Sequence, residues 1–112
     1  LKIDIEGSEY RILDEIIKFQ NLISGLVIEF HDIDIHREKI VDFIKNFKLN
    51  VCHIHGQNPG GEDYLDKNKD PIQIEMTFTR SNVIKSNRPK IPHMLDQPAD
   101  KRFPDVKLNF EN

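Results

Sequence analysis

Apolar and polar residues alternate at the start of the chain with the period of a β-strand. Residues 1–6 place apolar side chains at positions 1, 3 and 5 and polar side chains between them, which is typical of a strand with one buried face. Gly7 ends this strand, and Ser8 is the predicted N-cap of a helix. Because apolar residues then recur at helical spacing as far as Phe19, the first unit is predicted to be strand, turn and helix.

Two further strands and one further helix follow. Residues 26–31 are a continuous apolar run that ends in polar groups, as expected for a strand buried on both faces. Residues 49–55 predict a third strand. Between these two strands, Asp32 or Asp34 is the predicted cap of a helix whose apolar stripe is Ile40, Val41, Ile44 and Phe47.

The second half of the chain begins with a polar segment and ends with a tail that contains several prolines. Residues 57–71 predict a long loop, and residues 72–79 alternate strictly between apolar and polar side chains, which predicts a fourth strand. The prolines of residues 81–112 exclude a long helix or a central strand, so we expect an extended tail. The chain is therefore divided into an α/β part, residues 1–80, and a tail, residues 81–112.

Strands that alternate with helices predict an α/β fold, with a parallel sheet and helices packed on its faces. The fourth strand follows a loop instead of a helix, so we expect it to run antiparallel to the others. Three parallel strands are too few for a doubly wound sheet, and one edge of the strand at residues 1–6 would be open. We therefore expect the C-terminal half of a larger domain, whose N-terminal half is missing and whose open edge allows self-association.

Composition and charge exclude some classes of function. The 112 residues carry a net charge of −3 and their basic residues are scattered, whereas nucleic acid requires a positive patch. No apolar run reaches the roughly 20 residues that a membrane span needs. The single cysteine, Cys52, cannot form an internal disulfide and is expected to be a buried structural residue. We expect a cytoplasmic protein that binds neither nucleic acid nor membrane.

Acidic and histidine side chains gather where the predicted parallel strands end. In open α/β sheets, ligands bind beyond the carboxyl ends of the strands, so these side chains are the candidates for chemistry. The first strand end offers Asp4, Glu6 and Glu9, the second Glu29, His31 and Asp32, and the third His53, His55 and Asn58.

Asp4 and Glu6 lie two residues apart, so they share one face of the strand. Such a pair is able to accept a proton, bind a hydroxyl group or hold a divalent cation. In the alternative interpretation, Glu6 only accepts hydrogen bonds from the backbone of the following turn. His53 and His55 also share a strand face, but no HExxH or CxxC motif supplies a third zinc ligand. No metal site is therefore expected.

The opening residues, LKIDIEGSE, resemble the K-I-D-x-E-G-x-E signature of FkbM-type methyltransferases. The resemblance continues with an E-x-H ending at Glu29 and His31, with HIHG and Asn58 at the third strand, and with the strand at residues 74–78. In the tail it includes LDQP at residues 95–98 and FPD at residues 103–105. The match spans most of the chain, and its first motif is the most specific.

FkbM-type enzymes are S-adenosylmethionine-dependent O-methyltransferases with a Rossmann-like fold. The resemblance implies a class I methyltransferase sheet of order 3-2-1-4-5-7-6, in which strand 7 is antiparallel. This chain would supply strands 4-5-7-6, so its fourth strand would lie between its second and third. The resemblance also implies that most of the cofactor contacts lie upstream of Leu1. This chain alone would then bind S-adenosylmethionine weakly or not at all, and would be inactive.

The implied reaction transfers a methyl group to a hydroxyl of a sugar, a lipid or a small metabolite. Asp4 is the candidate for the position beside cofactor and acceptor. His31 is the candidate base, because imidazole exchanges protons near neutral pH. The candidates for binding the acceptor are Glu6, Glu29, His55 and Asn58.

Two other functions are open on the sequence. The chain could be a non-catalytic α/β interaction domain that pairs through its open strand edge, with the polar strand ends serving only solubility. It could also be a metal-dependent hydrolase that uses Asp4, Glu6, His31, His53 and His55.

Overall fold

The computed structural model of the chain describes residues 1–84 and 91–108. None of the helices in this part is long and apolar enough to cross a membrane. Within it the polypeptide forms four strands, two α-helices and three short 3-10 helices. The strands are β1 (Lys2–Ile3), β2 (Gly25–Phe30), β3 (Asn50–Gly56) and β4 (Ile74–Thr79), the α-helices are α1 (Leu13–Lys18) and α2 (Ile33–Asn46), and the 3-10 helices are Glu9–Arg11, Gln20–Leu22 and Gly61–Tyr64.

The four strands form one open, mixed sheet in the order β1-β2-β4-β3. β1 is parallel to β2, and β4 is antiparallel to both of its neighbours, β2 and β3. β4 follows a loop, so the chain returns along the sheet without the helical crossover that a parallel strand would need. The prediction of an antiparallel fourth strand between the second and third is confirmed. The fold is a small α/β fold with a partly parallel sheet.

β1 is shorter than the strand predicted at residues 1–6, because the backbone turns sharply after it. Glu6 has a φ of 53° and Gly7 a φ of 93°, and both values lie in the left-handed region that interrupts an extended strand. The helix predicted after Ser8 is also divided. A 3-10 turn, Glu9–Arg11, precedes α1, and the Ser8 side chain makes no capping hydrogen bond.

Both α-helices pack on the same face of the sheet, whereas helices were expected on both faces. Leu26, Ile28 and Phe30 of β2 are buried in the core with residues of α1 and α2. Phe43 of α2 packs edge-on against Phe30 and Phe78. Because successive strand residues point to opposite faces, the other face carries polar side chains, which include Glu29, Glu75, His53 and His55.

The tail passes over the end of β3. Its described parts, residues 81–84 and 91–108, contain neither helix nor strand, as predicted. Val106 is buried beside Gly56. A Cβ atom at Gly56 would lie 3.1 Å from Pro71 and 3.3 Å from Leu108, so the close approach of the tail depends on glycine at this position.

The register of β3 changes between Val51 and His53. Such an irregularity leaves one residue of the strand out of the ladder, and here that residue is Cys52. Its side chain is exposed, so the expectation of a buried structural cysteine was wrong.

Candidate active site

Four of the predicted site residues meet beyond the carboxyl ends of β1 and β2. These strands are adjacent and parallel, so their ends lie at one edge of the sheet. The ring Nε2 atom of His31 lies 3.5 Å from a carboxylate oxygen of Glu6, 3.6 Å from one of Glu29 and 3.9 Å from one of Asp4. We refer to Asp4, Glu6, Glu29 and His31 as the strand-end cluster.

Glu9, which is completely buried, holds His31 in position. One of its carboxylate oxygens accepts a hydrogen bond from the His31 backbone N–H at 2.7 Å and lies 3.1 Å from the ring Nδ1. The other oxygen accepts a hydrogen bond from the Gly7 N–H at 2.9 Å. A carboxylate has no proton to donate, so Nδ1 is the protonated nitrogen, and in the neutral ring Nε2 carries the lone pair.

The lone pair of His31 Nε2 has no hydrogen-bond partner among the described residues, although the atom is buried. The nearest carboxylate oxygen, that of Glu6 at 3.5 Å, lies beyond the usual limit of about 3.2 Å for such a bond. The side chains of Asp4 and Glu6 are 40% and 84% exposed, so the cluster opens to solvent on their side. An unpaired buried nitrogen is costly, and because the cluster opens to solvent beside it, this atom is a candidate for contact with a ligand.

The His31 backbone is held at both its N–H and its carbonyl group. The Tyr10 hydroxyl donates a hydrogen bond to the His31 carbonyl oxygen. Burial, assisted by the negative charge of Glu9, raises the pKa of Tyr10, so the hydroxyl remains a donor over the whole physiological pH range. The position of the imidazole is therefore set by two side chains of the segment that follows β1.

Glu29 is the most enclosed acid of the strand-end cluster. Burial raises the pKa of Glu29 above its usual range; a hydrogen bond from Gln73 opposes this shift, and the negative charge of Asp4 adds to it. The cluster therefore combines one enclosed carboxylate with two exposed ones.

A cleft of about 210 Å³ adjoins the strand-end cluster. Its walls come from the cluster, from the start of α2 and from the loop before β4, and its lining residues are Glu6, His31, Asp32, Tyr64, Ile72 and Gln73. A larger groove of about 460 Å³ runs between α1 and α2, but none of the predicted site residues lines it. The smaller cleft is thus the one beside the candidate chemistry.

His55 and Asn58, the other two predicted site residues, lie at the end of β3 and contact the tail. Nε2 of His55 lies 3.2 Å from a carboxylate oxygen of Asp105. The Asn58 amide donates a hydrogen bond to the Pro104 carbonyl oxygen at 3.1 Å. In the sheet register Glu75 lies between Glu29 and His55. His55 and Asn58 are therefore not part of the strand-end cluster.

His53 also binds the tail. Its Nε2 lies 2.7 Å from one carboxylate oxygen of Asp96, and the other oxygen of Asp96 accepts a hydrogen bond from the His93 N–H at 2.7 Å. Burial raises the pKa of Asp96, but the hydrogen bonds from His93 and His53 outweigh it and hold the pKa below its usual range. His53 and His55 are therefore paired with two different aspartates of the tail.

The predicted site residues did not include Glu9, Tyr10, Tyr64 or Gln73. Glu9 was predicted only as an acid at a strand end, although it is the last acid of the LKIDIEGSE segment and could have been found there. It also takes the turn hydrogen bond that the alternative interpretation gave to Glu6. Tyr64 and Gln73 carried no signal, because they approach the cluster only through the fold of a loop.

Comparison of the chain with protein-family models, with curated proteins and with solved structures found no match.

Proposed function

We propose that this chain forms the acceptor side of the active site of an S-adenosylmethionine-dependent O-methyltransferase of FkbM type. The acceptor would be a hydroxyl group of a sugar, a lipid or a small metabolite. The observation that carries the proposal is the strand-end cluster, in which Asp4 and His31 come from different strands and approach to 3.9 Å. These are the two residues that were predicted to lie beside the reacting atoms, because both follow the ends of adjacent parallel strands.

The sheet gives the proposal a second line of support. Its order, β1-β2-β4-β3 with β4 antiparallel, has the same relation among strands as the 4-5-7-6 portion of a class I methyltransferase sheet. A fold by itself does not define a function, so the site remains the main support.

We assign to His31 the task of accepting the proton of the acceptor hydroxyl. Glu9 keeps the ring proton on Nδ1, which leaves the Nε2 lone pair free to act as a base. The carboxylates of Glu6 and Glu29, at 3.5 and 3.6 Å, would stabilise the imidazolium that forms. Asp4 lies at the exposed side of the cluster and would orient the hydroxyl for in-line attack.

S-adenosylmethionine, when bound, supplies the methyl group from a positively charged sulfonium. The donor set of the strand-end cluster fits such a group, because its three carboxylates give this edge of the sheet a negative potential. The residues that hold the methionine and ribose portions are proposed to lie upstream of Leu1. The residues of this chain would then bind the acceptor, orient it and remove its proton.

Equilibrium binding of S-adenosylmethionine to the full-length protein tests the proposal. We expect saturable binding at one site per chain, measured by titration calorimetry. Asp4→Asn should weaken it several-fold, since the substitution removes a negative charge near the sulfonium, and Glu38→Gln on the exposed surface of α2 should leave it unchanged. A folded full-length protein that shows no saturable binding would exclude the proposed function.

A further inference from the structure

We infer that Asp4, Glu6 and His31 form a binding site for one divalent cation. Each of the three side chains offers one ligand atom, and these atoms all lie within 4.8 Å of one another. The inference concerns this site alone and holds whether or not the chain takes part in methyl transfer.

The spacing of the donor atoms fits a coordination shell. Bonds of about 2.0–2.2 Å to a common metal ion separate neighbouring ligand atoms by roughly 3 to 3.6 Å. The distance from His31 Nε2 to the Glu6 oxygen, 3.5 Å, lies in this range. The distance to the Asp4 oxygen, 3.9 Å, is slightly longer, and a small movement of the exposed Asp4 side chain would close it. Both distances are too long for hydrogen bonds, so a cation between the three atoms explains a spacing that direct contact does not.

The state of His31 provides a second and independent argument. Its Nε2 is buried and unpartnered and faces the carboxylates, so in the neutral ring a lone pair is directed at other lone pairs. A cation turns this unfavourable arrangement into a bonded one. On the opposite side of the ring, Glu9 accepts a hydrogen bond from the Nδ1–H group. This is the carboxylate–histidine–metal arrangement that fixes the tautomer and orientation of metal-binding histidines.

The site would leave coordination positions open towards the adjoining cleft. Three protein ligands are fewer than the four to six that a divalent ion takes, and Glu6 and His31 also line the cleft. If the proposed function holds, an acceptor hydroxyl could occupy an open position. The cation would then lower the pKa of that hydroxyl, and the proton would pass to solvent water instead of to His31, because Nε2 of His31 would be bonded to the metal.

Mn²⁺ is the appropriate probe for the site. One imidazole and two carboxylates suit ions such as Mn²⁺, Fe²⁺ or Zn²⁺. Zn²⁺ would also bind to thiolates, and Cys52 is a free, exposed cysteine, whereas Mn²⁺ prefers oxygen ligands and leaves such a site empty.

The experiment is a titration of the metal-free protein with Mn²⁺, in which free Mn²⁺ is followed by its electron paramagnetic resonance signal. We expect one saturable site per chain. Asp4→Asn, Glu6→Gln and His31→Gln should each weaken binding about tenfold or more, because each removes one ligand. Glu15→Gln and Glu38→Gln, which replace exposed acids on α1 and α2, should bind as the unsubstituted protein does.

The exposed positions of Asp4 and Glu6 keep the test decisive even if His31→Gln folds poorly. Absence of saturable Mn²⁺ binding, or equal affinity in the Asp4, Glu6 and control variants, would overturn the cation site. The titration contains neither S-adenosylmethionine nor an acceptor. Binding of Mn²⁺ without binding of S-adenosylmethionine would therefore support the cation site and contradict the proposed function. The reverse result would contradict only the cation site.

Discussion

A single carboxylate oxygen of Glu9 contacts both the backbone and the ring of His31, at 2.7 Å from the backbone nitrogen and 3.1 Å from Nδ1. The second oxygen of the same side chain accepts a hydrogen bond from the turn after β1. Glu9 therefore joins the ends of β1 and β2, which pair in parallel. The geometry of the candidate site depends on this buried acid more than on any of its exposed acids.

The first prediction concerns this connection. Glu9→Ala leaves the His31 and Gly7 N–H groups without their acceptor, and each unsatisfied buried group costs about 1–3 kcal/mol. We expect the free energy of unfolding, measured with urea, to fall by roughly 2–4 kcal/mol. Glu15→Ala on the exposed surface of α1 is the control and should change it by less than about 0.5 kcal/mol. Equal effects of the two substitutions would contradict the role given to Glu9.

The second prediction concerns the turn after β1. Gly7 has a φ of 93°, so Gly7→Ala should lower the free energy of unfolding by about 1–2 kcal/mol through backbone strain. The strain would be the only cost, because the nearest atom to the new Cβ would lie 3.9 Å away. Gly25→Ala is the matched control, because Gly25 is in β2 and its added Cβ would meet only an ordinary contact at 3.5 Å. Thermal unfolding of both variants compares the costs. A Gly7→Ala protein no less stable than Gly25→Ala would show that the turn tolerates a side chain.

The direction of β4 could be predicted from the sequence because local patterns determine it, whereas its place between β2 and β3 was implied by the motif resemblance. Residues 72–79 alternate strictly and follow a loop, and these two features together predict an antiparallel β4. The meeting of Asp4 with His31 followed from the rule that adjacent parallel strands end at the same edge.

Other features depend on contacts between segments that no local pattern connects. His55 and Asn58 were expected to bind an acceptor but instead contact Asp105 and Pro104 of the tail, which has no periodic pattern from which docking could be predicted. The exposure of Cys52 depends on an irregularity in β3, and a single residue out of register does not disturb the apolar pattern enough to be seen.

The third prediction concerns pH and the tail. The pKa of Asp96 is lower in the folded protein than in the unfolded chain. The ionised carboxylate therefore stabilises the folded protein fully at pH values above the unfolded-state pKa of about 3.9. This stabilisation is lost as the pH falls through the folded-state pKa. At pH 7, Asp96→Asn should lower the stability of tail docking by about 1 kcal/mol. Between about pH 5 and pH 2 the stability of this variant should depend less on pH.

Limited proteolysis of residues 91–108, combined with urea unfolding at several pH values, measures this effect. The exposed Asp63 supplies a control, Asp63→Asn, which should behave as the unsubstituted protein does. Tail cleavage at the same rate in both variants at pH 7 would show that the pair of His53 and Asp96 does not hold the tail.

The central claim is that Asp4 and His31 act on a methyl acceptor. The most direct test measures methyl transfer and melting temperature together in the full-length protein for Asp4→Asn and His31→Ala. We expect turnover of the folded variants to fall by about 100-fold or more, as when a base or an orienting group is removed. The melting temperature should change little in Asp4→Asn, whose side chain is 40% exposed, and should fall further in His31→Ala, because His31 is buried. Glu15→Gln and Glu38→Gln, on exposed helix surfaces, should keep full turnover. Full turnover in a correctly folded Asp4→Asn enzyme would contradict the account.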